Sequence, residues 1–507
     1  MSMVAKVYSA APIGFEGSLI EVETDTAKGL PSLQIVGMGS KSIDEAKERV
    51  RSAIKNSLLD FPAQKITINL APAELPKDGS HFDLPIAISI LVSSGQIKPA
   101  EVSSSVFAGE LALDGSIRPI KAAVSIAEIA QGNGYKTLYL PEENVNQASL
   151  VSGIDIVGIK NLKHLFLHLK KEVPIQAIAM IQAAPENAHP ADSPTIDDIF
   201  GQESAKRALA IAAAGHHNLL LTGSPGAGKT MLAKTLPYIL PPLSEQEKIA
   251  VTKIHSLAGN VIDDIVQTRP FRSPHHTSSR IALIGGGAKP KPGEISLAHL
   301  GVLFLDEIPE YPRSTLEALR QPLEDKSISI SRAGGFSVFP ADFMLVATMN
   351  PCPCGYFGDP ERECNCSTTQ ILNYQKRLSG PMLDRIDLTV SVNRVPHSDI
   401  LTKNTSTNKQ HSNVVSSVSI ARATQLNRYK SSFKNNGNLS SKEIKKYITL
   451  DRPSLALLDK ASDTLKLSAR SYFKIIKIAR TIADLAGSDE ISQHHLAEAL
   501  QYRPKDA

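Results

Sequence analysis

One eight-residue string constrains the fold of this chain more than any other feature of its sequence. Gly223-Ser224-Pro225-Gly226-Ala227-Gly228-Lys229-Thr230 follows the short apolar run Asn218–Thr222 and precedes a helical stretch. Glycines at these positions let backbone N–H groups curl around phosphate oxygens, and a helix N-terminus adds a favourable dipole. Lys229 is predicted to neutralise β- and γ-phosphates, and Thr230 to ligate Mg²⁺. A glycine-rich turn without a ligand is the alternative, but the strand and helix patterns on either side favour a nucleotide site.

Two later apolar runs end in polar residues that suit the same chemistry. Asp306 and Glu307 directly follow the run Val302–Leu305, and Asn350 directly follows the run Phe343–Met349. In a parallel sheet, side chains at the carboxyl ends of neighbouring strands meet beside the phosphate loop. The first acid is predicted to hold the metal, the second to orient the attacking water, and the amide to sense the γ-phosphate. Taken alone, the acids could be strand-end caps and the asparagine a turn residue.

The length of the chain suggests about three domains, and shifts in composition mark their boundaries. Its 507 residues are 42% hydrophobic and 21% charged, which is typical of globular proteins. Residues 1–170 alternate strand and helix patterns, residues 171–195 contain a linker rich in Pro and Ala, and residues 196–395 form a second α/β unit. Residues 396–507 begin with a polar connection, residues 397–415, and continue with helices. The sequence therefore predicts a multidomain α/β chain with a C-terminal helical lid.

Longer strings in the second unit resemble a known family. The chain resembles the AAA+ ATPases in the order of its features. The phosphate loop is followed by a strand that precedes Asp-Glu, then by a strand that precedes an asparagine, and then by a helical lid. The strings that resemble the magnesium-chelatase-like branch of that family are Arg272–Thr277, Gly285–Gly287, Pro292–His299, Asn350–Gly355 and Ser379–Leu388. The resemblance spans nearly the whole chain. It implies ATP and Mg²⁺ as ligands, ATP hydrolysis, and a ring of six copies.

The same resemblance implies roles for two arginines. Arg385 is similar to the arginine finger that reaches the γ-phosphate bound to a neighbouring subunit. Arg470, which follows Ser468 at the start of a lid helix, is similar to the second sensor. Guanidinium groups suit both tasks because they stabilise charge on the transferred phosphoryl group. Without the family pattern, either arginine could be a surface or helix-capping residue.

The N-terminal unit resembles the α+β domain of the Lon-type serine-lysine proteases but lacks its catalytic pair. The similar strings are Pro76–Leu84 and Gly109–Gly115. His81 occupies the position of the nucleophile in that family, and Val124 occupies the position of the lysine. Ser80 and Lys121 are nearby but out of register. Because a serine needs an adjacent base to become nucleophilic, we expect a structural or substrate-engaging domain instead of a protease.

All four cysteines of the chain follow Asn350 within a short segment. They form two Cys-x-Cys pairs, Cys352 with Cys354 and Cys364 with Cys366. Two thiolate pairs at this spacing favour a tetrahedral zinc site, and free reduced thiols are the alternative. With no cysteine elsewhere, the chain has no disulfide framework, which fits a reducing cytoplasm.

Charge and hydropathy limit the partners. No apolar run approaches the roughly 18 residues that a membrane span needs, and the first residues lack a signal-peptide pattern, so we expect a cytoplasmic protein without a membrane partner. The net charge of +4 conceals an asymmetry, because residues 401–507 contain 18 Lys and Arg but only 9 Asp and Glu. A basic C-terminal region fits a nucleic-acid partner or a solvated helical face.

Two segments are predicted to line the pore of a ring. The first is Arg269–Gly293, which contains a glycine triplet together with Lys289 and Lys291. The second, Ser327–Val338, alternates in polarity around an Ala-Gly-Gly turn and predicts a β-hairpin with Arg332 near its tip. Flexible glycines and cations suit tracking of a DNA backbone. A solvated hairpin charge is the alternative for Arg332.

These features predict a hexameric, ATP-driven DNA motor. The resemblance implies a helicase that promotes branch migration of single-stranded or branched DNA in recombination and natural transformation, with recombination proteins as further partners. A chelatase-type motor for metal insertion is one alternative, and the Lon-like N-terminal domain argues against it. A Lon-like ATP-dependent protease is the other, and His81 and Val124 argue against that one.

Overall fold

A computed structural model shows the fold of most of the chain. It describes residues 4–37, 41–75, 77, 79–177, 193–260, 265–287, 290–332, 335–359, 361–394 and 409–504. Most of the predicted linker and most of the predicted polar connection lie outside these ranges. No helix within them is long and apolar enough to cross a lipid bilayer.

The N-terminal residues form a mixed sheet of seven strands. Its strands run β1 (Ala5–Ile13), β2 (Glu16–Ala27), β3 (Ser32–Val36), β4 (Lys65–Ala71), β5 (Ser105–Phe107), β8 (Thr137–Pro141) and β9 (Asp155–Ile159), while β6 (Glu110–Leu111) and β7 (Ile117–Arg118) pair separately. The spatial order is β3-β4-β2-β1-β5-β8-β9. Strand β2 is antiparallel to both β1 and β4, and all other neighbours are parallel.

Helices cover both faces of this sheet. Val7 belongs to a core cluster with helices Lys41–Asn56 and Asp83–Ser93, whereas Ala10 on the same strand belongs to a second cluster with helix Ala123–Gly132. The side-chain alternation of a strand produces this two-sided burial. The remaining N-terminal helices are Val145–Ala148 and Leu162–Leu169. This unit combines strands and helices around a mixed sheet, and its assignment as a Lon-like α+β domain stays a prediction.

The second unit is built on a parallel sheet of five strands. Its strands are β10 (Leu219–Thr222), β11 (Phe271–Arg272), β14 (Val302–Leu305), β17 (Met344–Met349) and β18 (Leu388–Ser391). They are ordered β11-β14-β17-β10-β18, and every neighbouring pair is parallel. The carboxyl ends of β10, β14 and β17 therefore lie side by side, which is the arrangement that the sequence predicts for the nucleotide site.

Helices and two hairpins complete this unit. The helices are Glu203–Gly215, Lys229–Ile239, Glu245–Ala258, Arg280–Ile284, Glu294–Leu297, Arg313–Ala318, Arg320–Asp325, Thr368–Gln375 and Gly380–Leu383. The hairpins pair β12 (Gly285–Gly286) with β13 (Lys291–Pro292) and β15 (Ser327–Arg332) with β16 (Gly335–Pro340). The second is the hairpin predicted from the alternating pattern.

The predicted first pore segment starts too early. Phe271 and Arg272 form the edge strand β11, and the Arg269 side chain is only 7% exposed. Its guanidinium donates to the backbone oxygens of Leu300 at 2.8 Å and Pro241 at 2.6 Å. Arg269 is therefore buried by partners 28 and 31 positions away, and Phe271 packs partly buried against the core of the unit. Local sequence does not reveal these contacts.

The C-terminal region is helical, as predicted. Its helices are Gln410–Tyr429, Ser441–Tyr447, Arg452–Leu465, Ala469–Leu485 and Gln493–Gln501. The first begins inside residues 397–415, which the sequence analysis assigns to a connection. That boundary is wrong because Val414 and Val418 pack into the same core cluster as helix Glu203–Gly215, so tertiary burial stabilises a polar first turn.

The N-terminal unit packs against helix Glu245–Ala258 of the second unit. The backbone N–H of Ala122 donates to Ser256 Oγ at 3.0 Å, and Ser256 Oγ donates to Gln147 Oε1 at 3.1 Å. Lys253 forms an ion pair with Glu128. These polar contacts are largely buried, so they fix how the two units meet.

Candidate functional site

The phosphate loop joins β10 to helix Lys229–Ile239. Gly226 and Gly228 have φ values of +80° and +88°, which other residues rarely adopt. A Cβ at Gly223 would lie 2.1 Å from the backbone oxygen of Val392. Each glycine of the loop is therefore required by backbone geometry, as a loop that wraps phosphate demands.

Lys229 lies at the centre of this loop. Its side chain is buried, and Nζ donates to the backbone oxygens of Gly223 at 2.6 Å and Ser224 at 3.0 Å. It also donates to Asn350 Oδ1 at 3.0 Å. Burial lowers the pKa of Lys229, and the nearby Asp306 carboxylate opposes that shift. The ammonium can exchange these oxygen partners for phosphate oxygens.

Asp306 and Thr230 meet beside the loop. Thr230 Oγ1 lies 3.3 Å from Asp306 Oδ2, and Thr348 Oγ1 donates to Asp306 Oδ1 at 2.5 Å. A hydroxyl and a carboxylate are oxygen ligands that Mg²⁺ prefers, so these residues fit the predicted metal. Thr348 was not predicted as a site residue. The signal for it is that it is the one polar residue within the apolar run Phe343–Met349.

Glu307 and Asn350 are joined in the same site. Glu307 has a φ of +51°, and its backbone N–H donates to Thr348 Oγ1 at 2.8 Å. Asn350 Nδ2 donates to Glu307 Oε1 at 3.2 Å. A left-handed backbone at a residue other than glycine costs about 1–3 kcal/mol and is concentrated at functional sites. The structure therefore brings together the acids, the amide and the lysine that the sequence predicts as one site.

Arg385 and Arg470 lie together, bonded to one carboxylate. Arg385 Nη2 donates to Glu324 Oε1 at 2.5 Å, and Arg470 Nη2 donates to the same oxygen at 3.1 Å. Partial burial alone would raise the pKa of Glu324, but the two guanidinium groups lower it overall. Glu324 was not predicted, because nothing in its local sequence indicates that two distant arginines share it.

The arginine pair lies near the amino-terminal ends of the sheet strands, whereas the phosphate loop lies at their carboxyl ends. Asn218, which precedes β10, donates from Nδ2 to the backbone oxygen of Arg385 at 2.8 Å. The four residues of β10 separate Asn218, at the amino-terminal end of the strand, from the phosphate loop at its carboxyl end. That length is roughly 13 Å. A cavity of about 610 Å³ beside Asn218 is lined by Arg385, Arg470 and Lys474. In one copy of the chain, neither guanidinium is placed beside its own phosphate loop.

The four cysteines form a cluster. The Sγ atoms of Cys352, Cys354, Cys364 and Cys366 all lie within 4.8 Å of one another, an arrangement that could hold a metal ion. Cys352 is buried and accepts a hydrogen bond from the backbone N–H of Phe357 at 3.3 Å. The backbone N–H of Tyr356 lowers the pKa of the Cys354 thiol to about 6. At Cys364 the backbone N–H of Cys366 lowers the pKa, but burial and the neighbouring cysteines outweigh it and raise the pKa to about 12. The geometry of the four sulfurs, and not a shared pKa shift, is what fits a metal ion.

The β15–β16 hairpin exposes apolar side chains. Phe336 is 64% exposed and Val338 is 41% exposed, while Ser337 between them is buried. The side chain of Arg332 lies outside the described part of the molecule, as does Lys289. Lys291, on the other predicted pore segment, is exposed.

The residues at the Lon-like catalytic positions are buried. His81 is 9% exposed and its Nε2 lies 3.0 Å from the backbone oxygen of Ala10, while Val124 is fully buried. Ser80 donates to the Glu110 carboxylate. His81 contacts a backbone oxygen and Val124 is apolar, so the two residues at the Lon-like catalytic positions do not form a nucleophile–base pair.

Lys121, the other nearby candidate, faces the second unit. A Cβ at Gly259 would lie 2.8 Å from Lys121 Nζ. Gly259 ends the helix on which the N-terminal unit packs. The lysine therefore contributes to the contact between units.

Comparison with known proteins matches three family models along the chain. The model described as magnesium chelatase, subunit ChlI, matches residues 195–400. A second, described as subunit ChlI of Mg-chelatase, matches residues 22–144, and the model of the ChlI C-terminal region matches residues 408–503.

Individual relatives match over the full length. The competence protein ComM of Haemophilus influenzae is 44% identical over 504 residues, covering 99% of this chain and 97% of that protein. The uncharacterized protein YifB of Salmonella typhimurium is 42% identical over 505 residues, covering 99% of this chain and 97% of its own length. The magnesium-chelatase 67 kDa subunit of Chlorobaculum parvum is 29% identical over 156 residues, which cover 30% of this chain and 23% of that subunit.

The matches and the site agree. Full-length identity above 40% to two relatives accompanies an assembled phosphate loop with its lysine, acids and asparagine. Together they indicate an ATPase that uses ATP and Mg²⁺. This chain belongs to the magnesium-chelatase-like family of AAA+ ATPases that includes ComM and YifB.

Proposed function

We propose that this protein is an ATP-driven motor that acts on DNA as a hexameric ring, a helicase that promotes branch migration during recombination. The observation that carries the proposal is the division of the ATPase machinery between two edges of one sheet. At the carboxyl ends of the strands lie the phosphate loop, Asp306 and Glu307. Near the amino-terminal ends lie Arg385 and Arg470. A ring supplies what one copy lacks, because each copy can present its arginines to the nucleotide of the next.

Within one such site, each residue has a distinct task. Lys229 releases the loop carbonyls and binds phosphate oxygens, and Glu307 orients the attacking water. Thr230 and Asp306 would hold Mg²⁺, and the ion would supply positive charge that stabilises the phosphates. Asn350 bridges Lys229 and Glu307, so it transmits the arrival of phosphate to the catalytic carboxylate.

DNA is the proposed substrate for two reasons. The full-length relative from Haemophilus influenzae is named a competence protein, and this chain is 44% identical to it. The β15–β16 hairpin also presents Phe336 to solvent, and exposed aromatic rings stack on bases without sequence preference. In the backbone register Phe336 pairs with Ser331, the residue before the predicted cation Arg332, and an aromatic ring and a cation on one hairpin suit a motor that tracks any sequence.

We also propose that the cysteine cluster holds Zn²⁺. Cys352, Cys354 and Cys364 have Sγ–Sγ separations of 3.3, 3.5 and 3.6 Å. Four thiolates around zinc at 2.3 Å lie about 3.8 Å apart, so small adjustments would accommodate the ion. Metal analysis of purified protein should find zinc near one equivalent, and its absence would favour free thiols.

A chelatase-type motor is the second candidate. The family models that match the chain are named for magnesium chelatase. However, the match to an individual chelatase subunit covers only 30% of this chain. A Lon-like protease is less well supported, since His81 and Val124 occupy the catalytic positions and both are buried.

ATPase and junction-unwinding assays test the proposal. We expect the wild type to hydrolyse ATP faster with branched DNA, and Lys229→Ala to abolish both activities. Lys234→Ala is the matched control, because Lys234 is exposed on the same helix and loses the same charge. If DNA neither binds nor stimulates the wild type, the DNA motor is wrong and the chelatase-type candidate gains support. Protein cleavage that Ser80→Ala abolishes would support the protease instead.

A further inference from the structure

The cysteine cluster touches the phosphate loop. Gly355 follows the cluster residue Cys354, is buried, and has a φ of +86°. A Cβ at Gly355 would lie 2.6 Å from Pro225 Cδ, so the Gly355 backbone lies directly against the phosphate loop. A side chain larger than hydrogen would push the two segments apart.

Arg394 makes a second connection between the same segments. It follows β18 and donates from Nη2 to the backbone oxygen of Pro225 at 3.0 Å. Its guanidinium also lies 5.6 Å from the ring centre of Tyr356 and 3.8 Å from the carboxylate of Asp359. Tyr356 and Asp359 lie between the two cysteine pairs, so the loop between those pairs is clamped to Pro225.

A third connection runs along the chain. Only Pro351 separates the sensing residue Asn350 from Cys352, which is fully buried. The Gln375 side chain donates to the backbone oxygen of Pro351 at 3.1 Å. The cysteine segment is therefore joined directly to Asn350, which contacts Lys229 in the phosphate loop.

The segment that makes these contacts is held by turns and isolated hydrogen bonds, among them the Gly355 N–H to the backbone oxygen of Cys352 at 3.0 Å and the Glu361 N–H to Asp359 Oδ1 at 2.9 Å. Within its described residues, the segment 350–367 contains no helix or strand. The four Sγ atoms lie within 4.8 Å of one another although the two cysteine pairs are ten positions apart, so one bound ion would join both ends of the segment. Metal binding and local folding are coupled where the ligands come together only in the folded segment, so a metal at this site would stabilise the contact between Gly355 and Pro225.

We infer that a soft tetrahedral metal ion on the four cysteines holds the phosphate loop in its ATP-binding conformation, so that metal loading sets the affinity for ATP. The inference rests on the proposed ATPase site and adds its regulation. Loss of metal releases the loop, and ATP must then supply the free energy that reorders it. Metal and nucleotide are thereby coupled through Pro225.

Nucleotide binding by the full-length protein tests this coupling. The Kd for a fluorescent, non-hydrolysable ATP analogue is measured with excess Mg²⁺ in three preparations: as purified, after chelation and dialysis, and after reloading with Zn²⁺. Zinc content is measured for each. We expect removal of zinc to raise the Kd roughly five- to tenfold, at the lower end of coupling between linked sites, and reloading to restore it.

A pair of glycine variants separates the contact from the metal. Gly355→Ala introduces a Cβ against Pro225, whereas Gly358→Ala introduces one with nothing within 4 Å. Both glycines have a positive φ, +86° and +77°, so both variants carry a similar backbone penalty. We expect both to retain zinc and only Gly355→Ala to weaken binding of the analogue.

The outcomes distinguish the inference from the proposed function. If the zinc-loaded wild type binds no ATP analogue, the ATPase proposal is wrong and the inference fails with it. If the wild type binds the analogue and loss of zinc leaves the Kd unchanged, the inference alone is overturned. Equal Kd values for the two glycine variants would overturn the route through Pro225, whether or not either variant is less stable than the wild type.

Discussion

Asn350 holds the carboxylate of Glu307 through a hydrogen bond of 3.2 Å from Nδ2 to Oε1. The other end of the same amide accepts a hydrogen bond from Lys229 at 3.0 Å. Phosphate that draws Lys229 away from the amide therefore changes how the amide holds the carboxylate. A substitution at Glu307 is therefore the simplest way to examine ATP hydrolysis separately from ATP binding.

Glu307→Gln should separate ATP binding from ATP hydrolysis. The amide has nearly the same shape but cannot accept a proton from water, so we expect turnover to fall by roughly 10²- to 10⁴-fold. Binding of a fluorescent ATP analogue should persist, because Lys229 and the phosphate loop are unchanged. Glu310→Gln is the control, since Glu310 is exposed and pairs with Arg377 instead. Turnover at the wild-type rate in Glu307→Gln would refute the assignment.

Arg385 and Arg470 share Glu324, away from the phosphate loop of their own copy. We therefore predict that both contact the nucleotide of a neighbouring subunit. Arg385→Ala protomers keep an intact phosphate loop, and Lys229→Ala protomers keep intact arginines. Each variant alone should be inactive. In an equimolar mixture, about a quarter of the interfaces join the phosphate loop of an Arg385→Ala protomer to the arginines of a Lys229→Ala protomer, so about a quarter of the wild-type ATPase activity should return. The same recovery is expected for Arg470→Ala mixed with Lys229→Ala.

The outcome for Arg470 discriminates between two geometries. If Arg470 served its own nucleotide, every site in the second mixture would lack either Arg470 or Lys229, and no activity would return. Cross-linking of the two variants is the check that mixed rings have formed. Failure of both mixtures despite mixed rings would contradict the placement of the arginines in trans.

Much of the nucleotide site could be predicted, because it depends on local patterns and one topological rule. Apolar runs that end in Thr222, Leu305 and Met349 identify parallel strands, and the residues that follow must meet at one edge. Thr348 was missed because its role depends on the spacing between β14 and β17. Its hydroxyl reaches both Asp306 and the Glu307 backbone only once those strands are paired.

The arrangement of the lid could not be predicted in the same way. Arg470 and Glu324 are 146 positions apart, and their contact depends on how the C-terminal helices pack on the core. Helix Gln410–Tyr429 begins within a polar stretch that propensity alone assigns to a connection. In both cases tertiary burial decides the outcome, and a single sequence carries no signal for it.

Phe336→Ala tests the hairpin as a DNA contact. Loss of a stacking ring typically costs about 1–3 kcal/mol for each base, so we expect the Kd for single-stranded DNA to rise roughly 5- to 150-fold. ATPase activity without DNA should be unchanged. Val338→Ala is the matched control because Val338 lies on the same exposed face of β16 and has no aromatic ring. Equal DNA affinities of the two variants in filter binding would exclude a stacking role.

His299 is a buried group whose charge the core does not tolerate. Its Nδ1 accepts a hydrogen bond from the backbone N–H of Asp342 at 3.1 Å. Burial lowers the pKa of His299 from 6.5 to about 4, although the Asp342 and Glu247 carboxylates oppose this and His216 and Lys326 add to it. In the unfolded chain the same imidazole takes up a proton near pH 6.5.

The native state is therefore expected to lose stability as the pH falls from 6.5 to 4, since the unfolded state binds the proton first. His299 should account for roughly 3 kcal/mol of that loss, and its contribution should be fully present above pH 6.5. His299→Asn keeps an acceptor for the Asp342 N–H but cannot titrate. Urea unfolding across this range should show a shallower decline in the free energy of unfolding for His299→Asn than for the wild type or for His494→Asn, an exposed control. Parallel pH profiles for all three proteins would show that His299 is not the group responsible.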